Sequence, residues 1–211
     1  MKSLNNWLLV LSVLSCFGCS SPVHEDDRGC AFVSDSIQYR VEFMSAGCVR
    51  ILSFPEGDTL VTRRLVVDSE KPAFKDYKWE DTGQKLLFRT RELSVVFDKA
   101  DAAFIFQETS TGKLLLKEKG DRKARNFKRS VAGGEQCLEV TQRFVPTEDE
   151  AIYGLGQYQN GIMNYRGKSV LLLQANMDIV NPFLISTNGY GVLWDNYSST
   201  KFEDTKEGYS F

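Results

Sequence analysis

The residues best suited to chemistry lie in two short, uncharged segments in the second half of the chain. Their candidate side chains are Gln157, Tyr158, Gln159 and Asn160 in the first segment, and Gln174 and Asn176 in the second. Amides and phenols offer hydrogen-bond donors and acceptors without a net charge, and aromatic rings can cover C–H surfaces. The pattern is typical of a carbohydrate-binding site or, alternatively, of a glycine turn whose amide side chains are solvated.

Other kinds of site have little support in the sequence. The single histidine, His24, lies near the start, which argues against histidine triads and histidine-rich metal centres. Among the cysteines after the N-terminal leader, no pair has the CxxC spacing of a metal site. The acidic residues are scattered through turns and exposed strand faces. We therefore predict no catalytic residue, no metal and no cofactor in this chain.

Charge also limits the class of partner. The formal net charge of −2 gives no general attraction to nucleic acid or to an anionic membrane. Residues 117–129 are rich in Lys and Arg, which could indicate a nucleic-acid patch, but they contain a single aromatic residue, Phe127. A solvated hairpin tip is the favoured interpretation, and no nucleic-acid partner is expected.

The N-terminus has the features of an export signal. Lys2 precedes a short apolar run at 7–14, which is too short to span a bilayer. Cys16, with Val13 three places before it, fits a lipoprotein cleavage box; Cys19 is the alternative site, and an ordinary secretory signal is the alternative to both. We expect residues 1–21 to be a leader, residues 22–36 a tether, and the protein to be a periplasmic or outer-membrane lipoprotein of a Gram-negative bacterium, attached to the membrane only through its lipid.

Alternating apolar residues predict the fold. The series Ile37, Tyr39, Val41 and Phe43 has the period of two of a half-buried strand, and similar short runs follow with turn signals between them. No segment shows a long helical stripe. We predict an all-β, antiparallel β-sandwich over residues 37–211. The cysteines after the leader, Cys30, Cys48 and Cys137, are interpreted as buried thiols, with a disulfide as the alternative.

Local turn chemistry yields further expectations near the candidate site. Gly154 and Gly156 flank Leu155 and would let the chain leave a strand with positive φ. The run 189–191 is expected to form a hairpin turn. Trp194 is expected in the core, and Asp195 is expected to cap a turn together with its neighbours.

Two signatures resemble glycoside hydrolase family 31. The first is Glu-Ala-Ile-Tyr-Gly-Leu-Gly-Gln at 150–157, and the second is Asn-Pro-Phe-Leu-Ile-Ser at 181–186 followed by Gly-Tyr-Gly-Val-Leu-Trp-Asp-Asn at 189–196. The resemblance extends over residues 37–211. Within the family, the residues at 159–161, 171–174 and 194–196 are most similar to the α-xylosidase branch.

The resemblance implies a galactose-mutarotase-like N-terminal sandwich. Its loop, with the candidate residues above, would reach over a catalytic barrel and help to bind α-xylosyl or α-glucosyl oligosaccharides such as xyloglucan side chains. Two carboxylates common in the family are amides here: Gln157 replaces a glutamate, and Asn176 stands near the place of a substrate-binding aspartate. These changes keep hydrogen bonding and remove charge.

The family's catalytic apparatus is not expected in these residues. Its retaining mechanism uses two carboxyl groups about 5–5.5 Å apart, both on a barrel that takes about 250 residues. The family's nucleophile motif does not occur in the sequence. We expect an N-terminal domain truncated before the barrel, inactive alone, whose partners are the carbohydrate and the catalytic barrel of the full-length enzyme. The alternatives are a free-standing, non-catalytic carbohydrate-binding surface lipoprotein or a degenerate product.

Overall fold

The fold is built from β-strands. A computed structural model describes residues 23–58, 66, 72–120 and 126–211. Across these residues every regular element is a strand, and all strand pairs are antiparallel. The prediction of an all-β antiparallel fold is confirmed. Among the described residues, no helix has the length and hydrophobicity needed to cross a bilayer.

Two sheets enclose the first hydrophobic core. One has the order β1–β2–β3–β4: His24–Glu25, Cys30–Ser34, Ile37–Ser45 and Cys48–Pro55. The other is a meander of β5 to β9: Lys78–Asp81, Lys85–Arg89, Leu93–Asp98, Ala103–Glu108 and Leu114–Lys117. Rings from both sheets meet between them: the centroid of Phe97 lies 4.8 Å from that of Phe32 and 4.9 Å from that of Phe104. The alternation predicted around Tyr39 corresponds to β3.

Two further sheets share a second core. The first has the order β12–β18–β17–β14: Arg143–Phe144, Gly208–Ser210, Thr200–Thr205 and Ser169–Leu172. The second has the order β13–β15–β16: Ile152–Gln157, Ile179–Ser186 and Tyr190–Leu193. Both contribute fully buried side chains, among them Ile152, Leu184, Phe202 and Tyr209. A separate hairpin consists of β10 and β11, Asn126–Ala132 and Glu135–Thr141.

A buried carboxylate joins the two sheets of the second core. Glu150, which is 5% exposed, accepts hydrogen bonds from Ser186 Oγ (2.7 Å), from the Tyr190 hydroxyl and from the Thr147 backbone N–H (2.8 Å). The Tyr190 oxygen lies 3.0 Å from the hydroxyl of Tyr209. Because Tyr190 donates its single proton to Glu150, Tyr209 must donate to Tyr190. We call these residues the Glu150 network.

The first strands correct the predicted tether. Residues 22–36 were expected to be a tether, but two strands lie in this segment. Cys30–Ser34 (β2) pairs with β3, and His24–Glu25 (β1) pairs with β2. The Glu25 carboxylate accepts hydrogen bonds from the Tyr77 hydroxyl (2.9 Å) and from Trp79 Nε1 (3.0 Å). The sandwich therefore begins before residue 37. Residues 1–22, including Cys16 and Cys19, lie outside the described residues.

The cysteines depart in part from the prediction. Cys30 is buried, but Cys48 and Cys137 are exposed, and all three are free thiols. Burial raises the pKa of the Cys30 thiol to about 11, so this thiol stays protonated at neutral pH. The interpretation of all three as buried was wrong for Cys48, which is the first residue of β4, and for Cys137, which lies in the two-stranded β10–β11 hairpin where the two preceding residues are exposed as well.

The basic run is also placed differently from the prediction. The turn of the β10–β11 hairpin lies at Gly133 and Gly134, outside the run at 117–129 that was expected to form a hairpin tip. The side chain of Lys128 is exposed, and its Nζ lies 3.2 Å from Glu139 Oε2 on the opposite strand. Residues 121–125 lie outside the described residues.

The Glu150 network should contribute measurably to stability. Tyr190→Phe removes one donor from the buried carboxylate and leaves the Tyr209 hydroxyl without its acceptor. We expect the free energy of unfolding to fall by about 1–3 kcal/mol, measured by urea denaturation. Tyr153→Phe is the matched control, because Tyr153 is 38% exposed; an equal loss in both variants would show that the network is not the cause.

Candidate carbohydrate-facing lip

A β-bulge in the β13–β15 pair sets the geometry of the first candidate segment, because residues 181–183 of β15 lie opposite Leu155 alone. Gly154, Leu155 and Gly156 have φ values of 103°, 66° and 119°. The strand pairs with β15 on both sides of the bulge, since Gly154 lies opposite Leu184 and Gly156 lies opposite Val180. The chain was predicted to leave the strand here, but it stays in the sheet as far as Gln157. The bulge turns Leu155 into the second core, where it is fully buried.

Only glycine fits at the two ends of this bulge. A Cβ atom at Gly154 would lie 2.4 Å from the carbonyl oxygen of Phe183, and one at Gly156 would lie 2.1 Å from that of Ile179. Both contacts are with backbone atoms of β15, which cannot move aside as a side chain could. The glycines therefore allow close approach as well as positive φ.

The first candidate segment follows directly. Gln157 is exposed and pairs with Ile179, while Gln159 and Asn160 are exposed beyond the strand. Tyr158 is half-buried, and its hydroxyl donates to the carbonyl oxygen of Leu155 (3.0 Å). Burial raises the pKa of Tyr158 to about 12, so the phenol is a neutral donor. Asn160 Oδ1 accepts a hydrogen bond from the N–H of Ile162 (2.9 Å).

The second candidate segment is a turn held by one side chain. Gln174 Nε2 donates to the carbonyl oxygen of Asp178 (2.7 Å), and Gln174 Oε1 accepts from the N–H of Val180 (3.1 Å). Ala175 and Asp178 form a β-bridge, and Asn176 lies exposed in the turn between them. Both ends of the Gln174 amide are therefore used within the protein, where they fix the position of Asn176.

The two segments converge at one end of the β13–β15 pair. Gln157 pairs with Ile179, which follows the 175–178 turn directly. The charge of Asp178 also contributes to the raised pKa of Tyr158, after burial and the effect of Tyr165. We call residues 157–160 and 174–178 the lip. In it, the exposed amides of Gln157, Gln159 and Asn176 can contact a ligand, while Tyr158 and Gln174 hold the backbone.

The lip is an open surface. One surface cleft of the described residues is lined by residues that include Arg143 and Glu207, and another by residues that include Asp26 and Arg40. Neither includes a lip side chain. In the part of the chain that the structure describes, no group of three or more His, Cys, Asp or Glu could hold a metal ion. The exposed amides of the lip can form hydrogen bonds to a polar ligand without themselves carrying charge.

The segment after β16 packs against the second core and also contacts β4. Trp194 stacks on Phe211 with a centroid distance of 5.3 Å and an interplanar angle of 8°, consistent with its expected core role. Asp195 was expected to cap a turn, but it forms an ion pair with Arg50 on β4 (2.9 Å). Asn196 is the capping residue, because its Oδ1 accepts from the N–H of Ser198 (2.9 Å). β15 and β16 are joined by a hairpin turn at 187–189, so the predicted turn at 189–191 is placed two residues too late: Tyr190 and Gly191 already pair with β15.

The Glu150 network was not recognised from the sequence. Glu150 opens the first motif, but its partners Ser186 and Tyr190 are 36 and 40 positions further along the chain. No local pattern links residues at such separations. The one local signal was an acidic residue two positions before β13.

A β-sandwich with this strand arrangement, and with a glycine-flanked bulge next to the lip, is found in a known class of domain. Residues 38–203 match the glycosyl hydrolase 31 N-terminal galactose mutarotase-like domain. The chain belongs to this family, which confirms the resemblance found in its motifs.

The similar proteins are α-xylosidases and other family 31 enzymes. An α-xylosidase of Saccharolobus solfataricus is 34% identical over 178 residues, which cover 77% of this chain and 23% of that protein. A family 31 α-xylosidase structure from Xanthomonas citri is 30% identical, with a TM-score of 0.74, over 87% of this chain and 20% of its own. A soil-metagenome family 31 α-xylosidase complexed with xylose has a TM-score of 0.75 at 23% identity, over 90% of this chain and 30% of its own, and supports the fold. The chain thus spans less than a third of each relative.

The bulge gives a test of how the lip is built. Gly156→Ala should lower the free energy of unfolding by at least about 3 kcal/mol, because strained φ and a backbone clash coincide. Gly161→Ala is the matched control: its φ is +69°, but nothing lies within 4 Å of an added Cβ, so a loss of about 1 kcal/mol is expected. Urea denaturation measures both, and equal losses would contradict the close-approach argument.

Proposed function

We propose that this chain is the N-terminal domain of an exported α-xylosidase-like hydrolase. In the proposal, the lip forms one wall of the sugar subsite, and a catalytic barrel of the full-length enzyme supplies the two catalytic carboxylates. The observation that carries the proposal is the convergence of two amide-bearing segments at one end of the β13–β15 pair. Within it, Tyr158 and Gln174 position the backbone, and Gln157, Gln159 and Asn176 contact the sugar.

The proposed substrates are α-xylosyl or α-glucosyl oligosaccharides, such as the side chains of xyloglucan. Such sugars are neutral, and their hydroxyls suit amides that both donate and accept hydrogen bonds. The amides at Gln157 and Asn176 place no charge beside the ligand. Similarity to proteins named α-xylosidase favours xylose at the cleaved position.

The proposal predicts a gain of activity in a hybrid enzyme. We would replace the matching fifth of the Xanthomonas citri α-xylosidase with this domain and measure release of xylose from an aryl α-xyloside. We expect hydrolysis by the hybrid and none by this chain alone. Gln157→Ala should raise KM several-fold, through the loss of about 1 kcal/mol of hydrogen bonding.

The matched control is Gln136→Ala, since Gln136 is an exposed amide on the β10–β11 hairpin, away from the lip. It should leave KM unchanged. A folded hybrid without activity would contradict the proposed function. A hybrid whose KM responds equally to both substitutions would contradict the role given to the lip. A preference for the aryl α-glucoside would change the assigned sugar.

We also propose that the chain is exported and lipid-anchored through Cys16. The support is the short apolar run behind Lys2, which ends at a cysteine with Val13 three places before it. Acylation would attach the domain to a membrane without a spanning helix.

Lipid attachment can be tested by metabolic labelling in a Gram-negative host. Labelled palmitate should be incorporated into the wild-type chain and into Cys19→Ser, but not into Cys16→Ser. Labelling that is lost only in Cys19→Ser would move the site to Cys19. Export without any labelling would indicate an ordinary secretory signal.

A further inference from the structure

The sequence contains two Asn-Gly pairs, and the fold treats them differently. One is Asn160-Gly161, at the end of the first lip segment, and the other is Asn188-Gly189, in the turn between β15 and β16. Asparagine is a thermolabile residue. A following glycine makes it more so, because glycine has no Cβ atom to shield its own backbone nitrogen. Since the two pairs consist of the same residues, their surroundings decide which of them reacts.

The reaction in question is deamidation, an attack of the main chain on the side chain. The backbone nitrogen of the glycine gives its proton to a base in the solvent and forms a bond to the asparagine Cγ, and the side-chain nitrogen leaves as ammonia. Water then opens the cyclic imide at either of its carbonyl carbons, which yields an aspartate or an isoaspartate. Water and hydroxide are the only reagents, so the reaction needs a free glycine N–H, an accessible Cγ and a free leaving amine.

The Asn160-Gly161 pair meets these conditions. Both residues are exposed, and the N–H of Gly161 donates to no acceptor among the described residues. Asn160 Oδ1 accepts from the N–H of Ile162 (2.9 Å), which folds the side-chain carbonyl back along the Gly161 peptide group. The same donor stabilises the negative charge that develops on Oδ1 during the attack.

The Asn188-Gly189 pair is held at the same points. The N–H of Gly189 donates to the carbonyl oxygen of Ser186 (3.1 Å). Asn188 is half-buried, and its Nδ2, the atom that would leave, donates to the carbonyl oxygens of Leu114 (3.0 Å) and Leu115 (2.6 Å). These hydrogen bonds must break before this pair can react.

We infer that Asn160 is a site of spontaneous deamidation in the folded protein and that Asn188 is protected from it. Conversion places a carboxylate in the 157–160 segment, whose side chains are otherwise uncharged. An isoaspartate also lengthens the main chain by a carbon atom. Tyr158 and Tyr165 pack in the second core on either side, so the exposed residues between them must absorb the added length.

The test is peptide mapping of the purified full chain by mass spectrometry during incubation in alkaline buffer. The Asn160 peptide should convert to two chromatographically separate products of equal mass, the aspartate and the isoaspartate forms. The Asn188 peptide should convert at least about tenfold more slowly, because its hydrogen bonds must open first. In urea the two peptides should convert at similar rates, since the protection depends on the fold.

Gly161→Ala should slow conversion at Asn160 several-fold, because the added Cβ shields the backbone nitrogen. Gly167→Ala is the matched control and should leave the rate unchanged. Gly161 and Gly167 have φ values of +69° and +66°, and nothing lies within 4 Å of an added Cβ at either. Circular dichroism establishes that both variants are folded.

The consequence for sugar binding rests on the proposed function. Ageing the hybrid enzyme in the same buffer should raise its KM for the aryl α-xyloside several-fold, while a hybrid that carries Gly161→Ala should keep its KM. A hybrid that is inactive before ageing contradicts the proposed function, and the mass measurement still decides the modification site. A hybrid that deamidates without a change in KM would place Asn160 outside the sugar subsite.

Two results of peptide mapping would overturn the inference. Equal rates at Asn160 and Asn188 in the folded chain would show that the fold does not select between them. An Asn160 peptide that converts in urea but not in the folded chain would show that its turn protects it as well.

Discussion

A single buried carboxylate determines how the second half of the fold is held together. Glu150 precedes β13, and its oxygens accept hydrogen bonds from Ser186 at the end of β15 and from Tyr190 at the start of β16. Tyr190 in turn contacts Tyr209 on β18, in the neighbouring sheet. A buried carboxylate is costly unless its oxygens are satisfied. The network satisfies them and simultaneously fixes the β15–β16 hairpin against both sheets of the second core.

The lip depends on this arrangement through backbone pairing. Once β15 is fixed, β13 must follow it across the bulge, because Gly154 and Gly156 approach its carbonyl oxygens too closely for any other residue. The pairing of Gln157 with Ile179 then brings the first amide segment to the 175–178 turn. Gln174 holds that turn with both ends of its side chain. The positions of the exposed amides thus follow from core packing some distance away.

Sequence reasoning succeeded where structure is local and periodic. Strands such as β3 follow from alternation, and the β15–β16 hairpin follows from the glycines near its turn, although the turn lies at 187–189 and not at 189–191. It failed for β2, because an alternation limited to Cys30 and Phe32 is too short to separate from a tether. It placed Gly154 and Gly156 at a strand end because positive φ suits an exit as well as a bulge, and only the partner strand distinguishes the two. The roles of Gln174 and Glu150 depend on contacts that composition does not reveal.

The same strands present two surfaces of different chemistry. Along β15, Leu184 and Ser186 point into the protein, while Phe183 and Ile185 point outward. The outward residues are apolar, so removal from water stabilises an association with another apolar surface. At the end of the strands the exposed groups are amides, for which desolvation is favourable only when a ligand replaces the lost hydrogen bonds. Apolar contact and polar recognition are therefore separated along one sheet. In the proposed enzyme a protein surface can cover Phe183 and Ile185 while the exposed amides of the lip stay open to a sugar.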